Sequence, residues 1–355
     1  MGFSNSNKIL KNIDLHSDSF GGEVKYYLKK MRISVKEMAI RARITPRYLT
    51  QLFNNEHRDI FASVIEAMEN AFDLKSGDLF QVYKYYNSKK LAIQSQKLDY
   101  LFEKFGINFL IKHPEFSQAI KIAFSEDMND IAKLMILKRF YGVYWLEDYI
   151  KILDTIVISN HEIYRKRPNA LVWIRYCELQ VERIKNLPHL GIFRSTNFTY
   201  TFEKILSYMC IKEYSFAHRI ALIKNFLAEK GIVLITKTYI EDSFVRAITL
   251  KKGLVRYIFL SDMHKNEGFI FFALLHEIIH TYYPNKKEDE VNIFLKNAYE
   301  EWKAKNEKHE IVALTKVCYL RVKAGNYFEI SKLPSEDRKF YHDIIKNHQY
   351  VKFEE

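Results

Sequence analysis

Cysteine, proline and glycine are scarce in this chain of 355 residues, which carries 3 Cys, 6 Pro and 11 Gly. Cys177, Cys210 and Cys318 lie far apart and form no C-x-x-C pair, so neither a disulfide framework nor thiolate ligation of a metal is expected. All three read as core residues in apolar, helix-like settings. So little Pro and Gly leaves small room for loops, and no repeat or low-complexity linker appears. Long continuous hydrophobic runs are also missing, because the apolar segments are periodic, and a transmembrane helix is therefore not expected. The first eight residues lack the apolar stretch of a secretory signal, and their Met-Gly-x-x-x-Ser pattern fits a myristoylation signal that has meaning only in a eukaryote. The expectation is a cytoplasmic protein with no membrane association. An acidic surplus is absent too: 55 Lys and Arg against 43 Asp and Glu give a net charge of +12.

What the chain does have is apolar and aromatic bulk, 48% hydrophobic with 24 Tyr and 26 Phe, enough core for two or three domains. Residues 91 to 230 read as successive helices. In the last of them Phe216, Ile220, Ile223 and Leu227 repeat at i, i+4, i+7 and i+11, and Gly231 follows as a C-terminal cap. Helical pieces recur at 311–322 and 335–347, in a tail from 303 to 355 to which no chemistry is assigned.

The segment richest in chemistry is His276-Glu277-Ile278-Ile279-His280. Two imidazoles four residues apart lie on one face of a helix, where both can point a ring nitrogen at a single Zn²⁺. The apolar run Gly268–Leu275 leads into this helix, with Phe272, Leu275 and Ile279 at helical spacing. Glu277, beside the metal's open position, is the expected general base, and the expected chemistry is peptide-bond hydrolysis. A catalytic zinc needs three protein ligands, and the nearest source of a third is Glu288-Asp289-Glu290. These acids occupy the first turn of a second predicted helix, after the break at Thr281–Pro284, whose apolar positions are Val291, Leu295, Ala298 and Trp302. Carboxylates there also complement the helix dipole and cap free N–H groups.

At the other end, residues 33 to 55 read as a short helix, a tight turn and a second helix. Ser34 caps the first, with Glu37 completing a capping box and Met38 and Ala39 facing inward. Thr45 caps the second, Pro46 takes its first position, and Ile44, Leu49 and Leu52 face the core. Between 21 and 60 there are nine Lys or Arg and four Asp or Glu, a net of +5.

Both ends carry a resemblance. His276–His280 followed by Glu290-Val-Asn292-Ile-Phe294 resembles the ImmA/IrrE metallopeptidases, whose motif reads HExxH and then E-A-N-x-F. Upstream, Gly231–Ile235 and the hairpin-like Ala247–Ser261, with Asp262–Lys265 and Phe272–His276, look like the strands and active-site helix of that fold. Trp173–Glu178 is similar to the preceding segment in long members related to HigA-type antitoxins. The resemblance implies His276, His280 and Glu290 as zinc ligands and Glu277 as general base. This chain departs from the motif at Ile279, where Gly is common, and over Leu295–Trp302, which replaces a Pro-ended run. Residues 33–55 resemble the Xre/Cro-type helix-turn-helix, whose second helix enters the DNA major groove. That implies DNA contacts from Thr45, Arg47, Thr50, Gln51 and, just past the helix, Arg58, with Arg suited to guanine, Gln to adenine and Arg58 to a phosphate. Here Val35 replaces a Gln and Arg43 a turn Gly.

The expected fold is mainly α with a small β-sheet (α+β): a helix-turn-helix bundle at 20–85, a helical connecting region at 91–212, a zincin-like metallopeptidase domain at 213–302 and a helical extension at 303–355. The expected protein is a transcriptional regulator that binds double-stranded DNA, as a homodimer, and hydrolyses a repressor or antitoxin with Zn²⁺. The competing expectation is a non-proteolytic transcription factor or antitoxin in which the zinc domain is structural or sensory.

Overall fold

A computed structural model of the protein describes residues 15–54, 60–94, 98–120, 124–125, 127–158, 162–183, 190–324, 334–347 and 350–353. It is mainly helical, 65%, with one three-stranded mixed sheet, as the α+β expectation has it. Among the described residues no helix is long and apolar enough to cross a membrane. The chain divides into two compact units that meet between Leu146 and Glu147.

The first unit opens with helices α1 (Phe20–Lys30), α2 (Val35–Arg41), α3 (Pro46–Phe53), α4 (Ala62–Ala71) and α5 (Asp78–Gln94), continuing through α6 (Leu98–Lys104), α7 (Ile107–Lys112) and α8 (Asp130–Tyr141). Its core gathers Val24, Met38, Leu49, Leu52, Ile65, Met68, Leu79 and Val82. Ser34 and Thr45 cap α2 and α3 as expected, each accepting a backbone N–H at 3.1 Å. Glu37, expected to complete the first capping box, instead pairs with Arg41 one turn on, at 2.8 Å. Met38 and Ala39 are buried and Ile44 packs against the same core. Arg43 turns the chain with φ +53°, the left-handed conformation that a Gly holds without strain.

The second unit runs α9 (Leu146–Ile156), α10 (Ile163–Lys166), α11 (Pro168–Arg183), α12 (Phe198–Met209), α13 (Phe216–Glu229), β1 (Ile232–Lys237), β2 (Ala247–Lys252), β3 (Val255–Ser261), α14 (Glu267–Tyr282), α15 (Glu288–Lys305), α16 (Val312–Ala324) and α17 (Ser335–Asn347). The helix through Phe216–Leu227 ends as expected, with Gly231 at φ +73°. A side chain there would place Cβ 2.4 Å from the Phe193 nitrogen. The sheet order is β1-β3-β2, with β1 parallel and β2 antiparallel to β3. Every residue of α14 from Gly268 to Tyr282 is buried, and large side chains so enclosed contribute about 1.5–3 kcal/mol each.

The division at Leu146 and Glu147 falls inside the connecting region expected at 91–212. Ile131 and Met135 of α8 pack on the N-terminal core, so the connecting region is shared between the two units. One core cluster of the second unit runs from Phe198 to Phe353, including Leu314, Val317, Ile344 and Val351. The last described residues are tied down as well: Phe353 N donates to Asp262 at 2.8 Å and Val351 N to the Lys265 carbonyl at 3.1 Å.

Candidate metal centre

Helix α14 is fixed at its start before it presents anything at its end. Asn266 caps it, accepting from Gly268 N at 3.0 Å, and donates its amide to the Ile344 carbonyl at 3.2 Å. Gly268 allows α16 to approach, since a Cβ there would lie 2.8 Å from the Ala313 carbonyl carbon. Two turns further on, His276 and His280 share a face, with their Nε2 atoms 3.1 Å apart.

The third group comes from α15, and it is Glu288. Its Oε2 lies 3.0 Å from His276 Nε2 and its Oε1 3.2 Å from His280 Nε2. Donor atoms of His276, His280 and Glu288 all lie within 4.8 Å of one another. Glu290, the residue implied by the resemblance, is exposed and accepts from Lys287 N at 3.1 Å, closing the N-terminal cap of α15. The physical reason is rotation: two residues along a helix is about 200°, so Glu290 faces away when Glu288 faces the histidines.

Asn292, four residues after Glu288 and on the same side of α15, meets His276 Nδ1 at 3.0 Å. An amide oxygen only accepts, so Nδ1 carries the proton and the Nε2 lone pair is turned toward Glu288 and His280. Three electron-rich atoms at these separations repel unless a cation or a shared proton lies among them. Burial pulls His276 below its ordinary pKa. Burial opposes charging of His280 as well, but there Glu288 and Glu277 prevail and raise its pKa. Two imidazole nitrogens and a carboxylate, one histidine braced from behind by Asn292, form a donor set that fits Zn²⁺.

Glu277, the next residue along α14, lines the same cavity as His276 and is held by the sheet. Thr249 of β2 donates its hydroxyl to Glu277 Oε2 at 2.6 Å, and Thr281 donates to the Glu277 carbonyl at 2.8 Å. The cavity is small, about 20 Å³, and is lined by Arg246, Phe269, Phe272, His276, Glu277 and Arg321 among others. That is room for a water-sized group or two.

The structure thus brings together His276, Glu277 and His280, sets Glu288 rather than Glu290 against the histidines, and adds Thr249, Asn292, Arg246 and Arg321 around them. Asn292 could have been found from its i, i+4 spacing to Glu288. Nothing in the sequence pairs Thr249 or Arg321 with the motif, since each reaches it only through tertiary packing.

In the first unit, Arg47, Thr50 and Gln51 are exposed along α3, opposite buried Leu49 and Leu52. Thr50 donates its hydroxyl to the Pro46 carbonyl at 3.1 Å, and Thr45 is engaged as the cap. Arg58 lies outside the described residues. Comparison of this chain with protein-family models, curated proteins and solved structures finds no match.

Proposed function

We propose that this chain is a DNA-binding regulator whose second unit is a zinc-dependent, zincin-like peptidase of narrow specificity, acting on a protein partner such as a repressor or antitoxin. The observation that carries the reading is the convergence of His276, His280 and Glu288 with the Glu277 carboxylate on the next position of the same helix. His276, His280 and Glu288 would hold the zinc, which would supply Lewis acidity toward a scissile carbonyl and an attacking water. Glu277 takes the proton of the attacking water on its carboxylate and passes it to the leaving amine. Thr249 fixes the rotation of that carboxylate, and Asn292 keeps His276 in the tautomer whose Nε2 faces inward. The low-dielectric walls formed by Phe269 and Phe272 strengthen each of these interactions.

The first unit supports the DNA-binding half of the reading. A short helix, a left-handed turn at Arg43 and a second helix leave Arg47, Thr50 and Gln51 on one open face, where Arg and Gln can each make paired contacts to a base edge. Two-fold DNA sites read by such units imply a homodimer.

A second reading has an observation of its own. His276, Glu277 and His280 are 5%, 1% and 0% exposed, an enclosure that suits a structural or sensory zinc module in a non-proteolytic transcription factor or antitoxin. The variant Glu277→Gln separates the two. As a peptidase, the chain keeps one zinc and loses cleavage of its partner by about 10²-fold or more; as a structural module, zinc content and regulation are both unchanged.

A further inference from the structure

The cavity beside Glu277 has two arginines in its wall, brought there by different parts of the chain. Arg246 immediately precedes β2, and its carbonyl accepts from Ser261 N at 2.8 Å and from the Ser261 hydroxyl at 3.1 Å. That anchorage fixes the backbone of a residue that lines the cavity. Arg321 comes from α16, is 2% exposed, and has its guanidinium carbon 5.6 Å from the centre of the Phe272 ring. Residues 303–355 therefore contribute a buried charge to the site.

The charges near this cavity do not balance once a divalent cation is counted. Glu277 and Glu288 offset Arg246 and Arg321, so Zn²⁺ on His276, His280 and Glu288 leaves an excess of two positive charges. Buried charge of one sign is costly and is relieved by a partner of the other sign. Burial and then the two guanidiniums drive the half-buried His264 down to about 3. A guanidinium is the group best shaped to meet a carboxylate with two parallel N–H donors.

We infer that Arg246 and Arg321 form a carboxylate-binding subsite, so that the substrate is a peptide with an acidic side chain, Asp or Glu, next to the scissile bond. This rests on the peptidase reading above, because that reading makes the cavity the place where substrate lies.

The test uses three small probes on the full-length zinc-loaded protein, with affinities from ligand-observed NMR titration. N-acetyl-glutamate α-amide carries only a side-chain carboxylate, N-acetyl-alanine only a chain-terminal one, and N-acetyl-glutamine amide none. The expected result is that the glutamate probe binds about tenfold or more tightly than the glutamine probe. That preference should collapse in Arg321→Met and in Arg246→Met, each checked by zinc content and thermal unfolding. Arg321→Lys, which keeps the charge and gives up the planar fork, should retain part of it and covers the case in which the methionine variant does not fold. Equal affinity for the glutamate and glutamine probes, or a preference that survives in both methionine variants, overturns the subsite. Stronger binding of N-acetyl-alanine overturns the side-chain assignment in favour of a chain end. A native protein that binds the glutamate probe yet cleaves no partner refutes the peptidase reading and leaves the subsite standing, so the two failures are distinguishable.

Discussion

Replacing Glu288 and Glu290 separately by Ala discriminates the two acids that the first turn of α15 offers. Glu288 has one oxygen 3.0 Å from His276 Nε2 and the other 3.2 Å from His280 Nε2, whereas Glu290 is exposed and accepts a single bond from Lys287 N. Outer-shell partners of metal ligands are worth roughly 10–100-fold in affinity, so loss of a ligand itself is set at about 100-fold. At free zinc 100 times the native dissociation constant, the native protein gains about 2.7 kcal/mol, or roughly 5–11 °C for a unit of this size. Glu288→Ala at the same zinc concentration gains only about 0.4 kcal/mol, close to 1 °C. Glu290→Ala loses one exposed cap bond, about 0.5–1 kcal/mol, with and without zinc alike, and keeps the full zinc-induced rise. Thermal unfolding of the three proteins with and without zinc, beside a competition titration against a chromophoric chelator, reads both quantities. Loss of zinc from Glu290→Ala with retention by Glu288→Ala refutes the assignment.

Two further outcomes follow from groups around the centre. Gly268→Val should cost about 1–3 kcal/mol by denaturant unfolding, because its Cβ meets the Ala313 backbone at 2.8 Å and α16 must give way; an unchanged midpoint would mean that the α14–α16 contact is looser than described. His264, depressed to about 3, binds a proton in the unfolded chain before it does in the folded one. Its contribution to stability is therefore complete above about pH 6.5 and falls away as pH drops toward 3, with a ceiling of about 1.4 kcal/mol per pH unit that partial exposure lowers. Unfolding of the zinc-free protein at several values between pH 7 and 4 should show a shallower loss in His264→Gln, and identical slopes would contradict the depression.

Much of the local structure is legible in the sequence because it is set by local chemistry. Ser34, Thr45 and Pro46 mark helix starts, Gly231 marks an end, and His276 to His280 declare themselves through helical spacing alone. Glu37 shows where local rules leave a choice, since its carboxylate can reach back to the cap or forward to Arg41, and the ion pair wins. The choice between Glu288 and Glu290 is of a different kind. Which acid of three in a row faces a partner depends on the phase of α15 against α14, and that phase is set by Val291, Leu295 and Trp302 packing inward. Read from those apolar positions, Glu288 and Asn292 fall together on the inward side, so the information was present in the pattern although no single motif carried it.

The extent of the second unit was the least legible feature, because nothing in residues 303–355 resembles chemistry. Its meaning emerges from three contacts that act on one helix. Ala313 of α16 fills the space that Gly268 leaves, Ile344 of α17 accepts the Asn266 amide at the start of α14, and Val351 bonds to Lys265 just before it. Each restrains the beginning of the helix that carries His276, Glu277 and His280 at its end. A rigid helix transmits displacement of its first turn to its last, and metal donors tolerate only small errors in position. A chain ending at 302 would lose all three restraints, expose the apolar faces that Leu314, Val317 and Leu320 now cover, and lack Arg321 in the cavity. The second unit is therefore not a motif-bearing domain with an appendage, because the tail belongs to the core that sets the position of the motif.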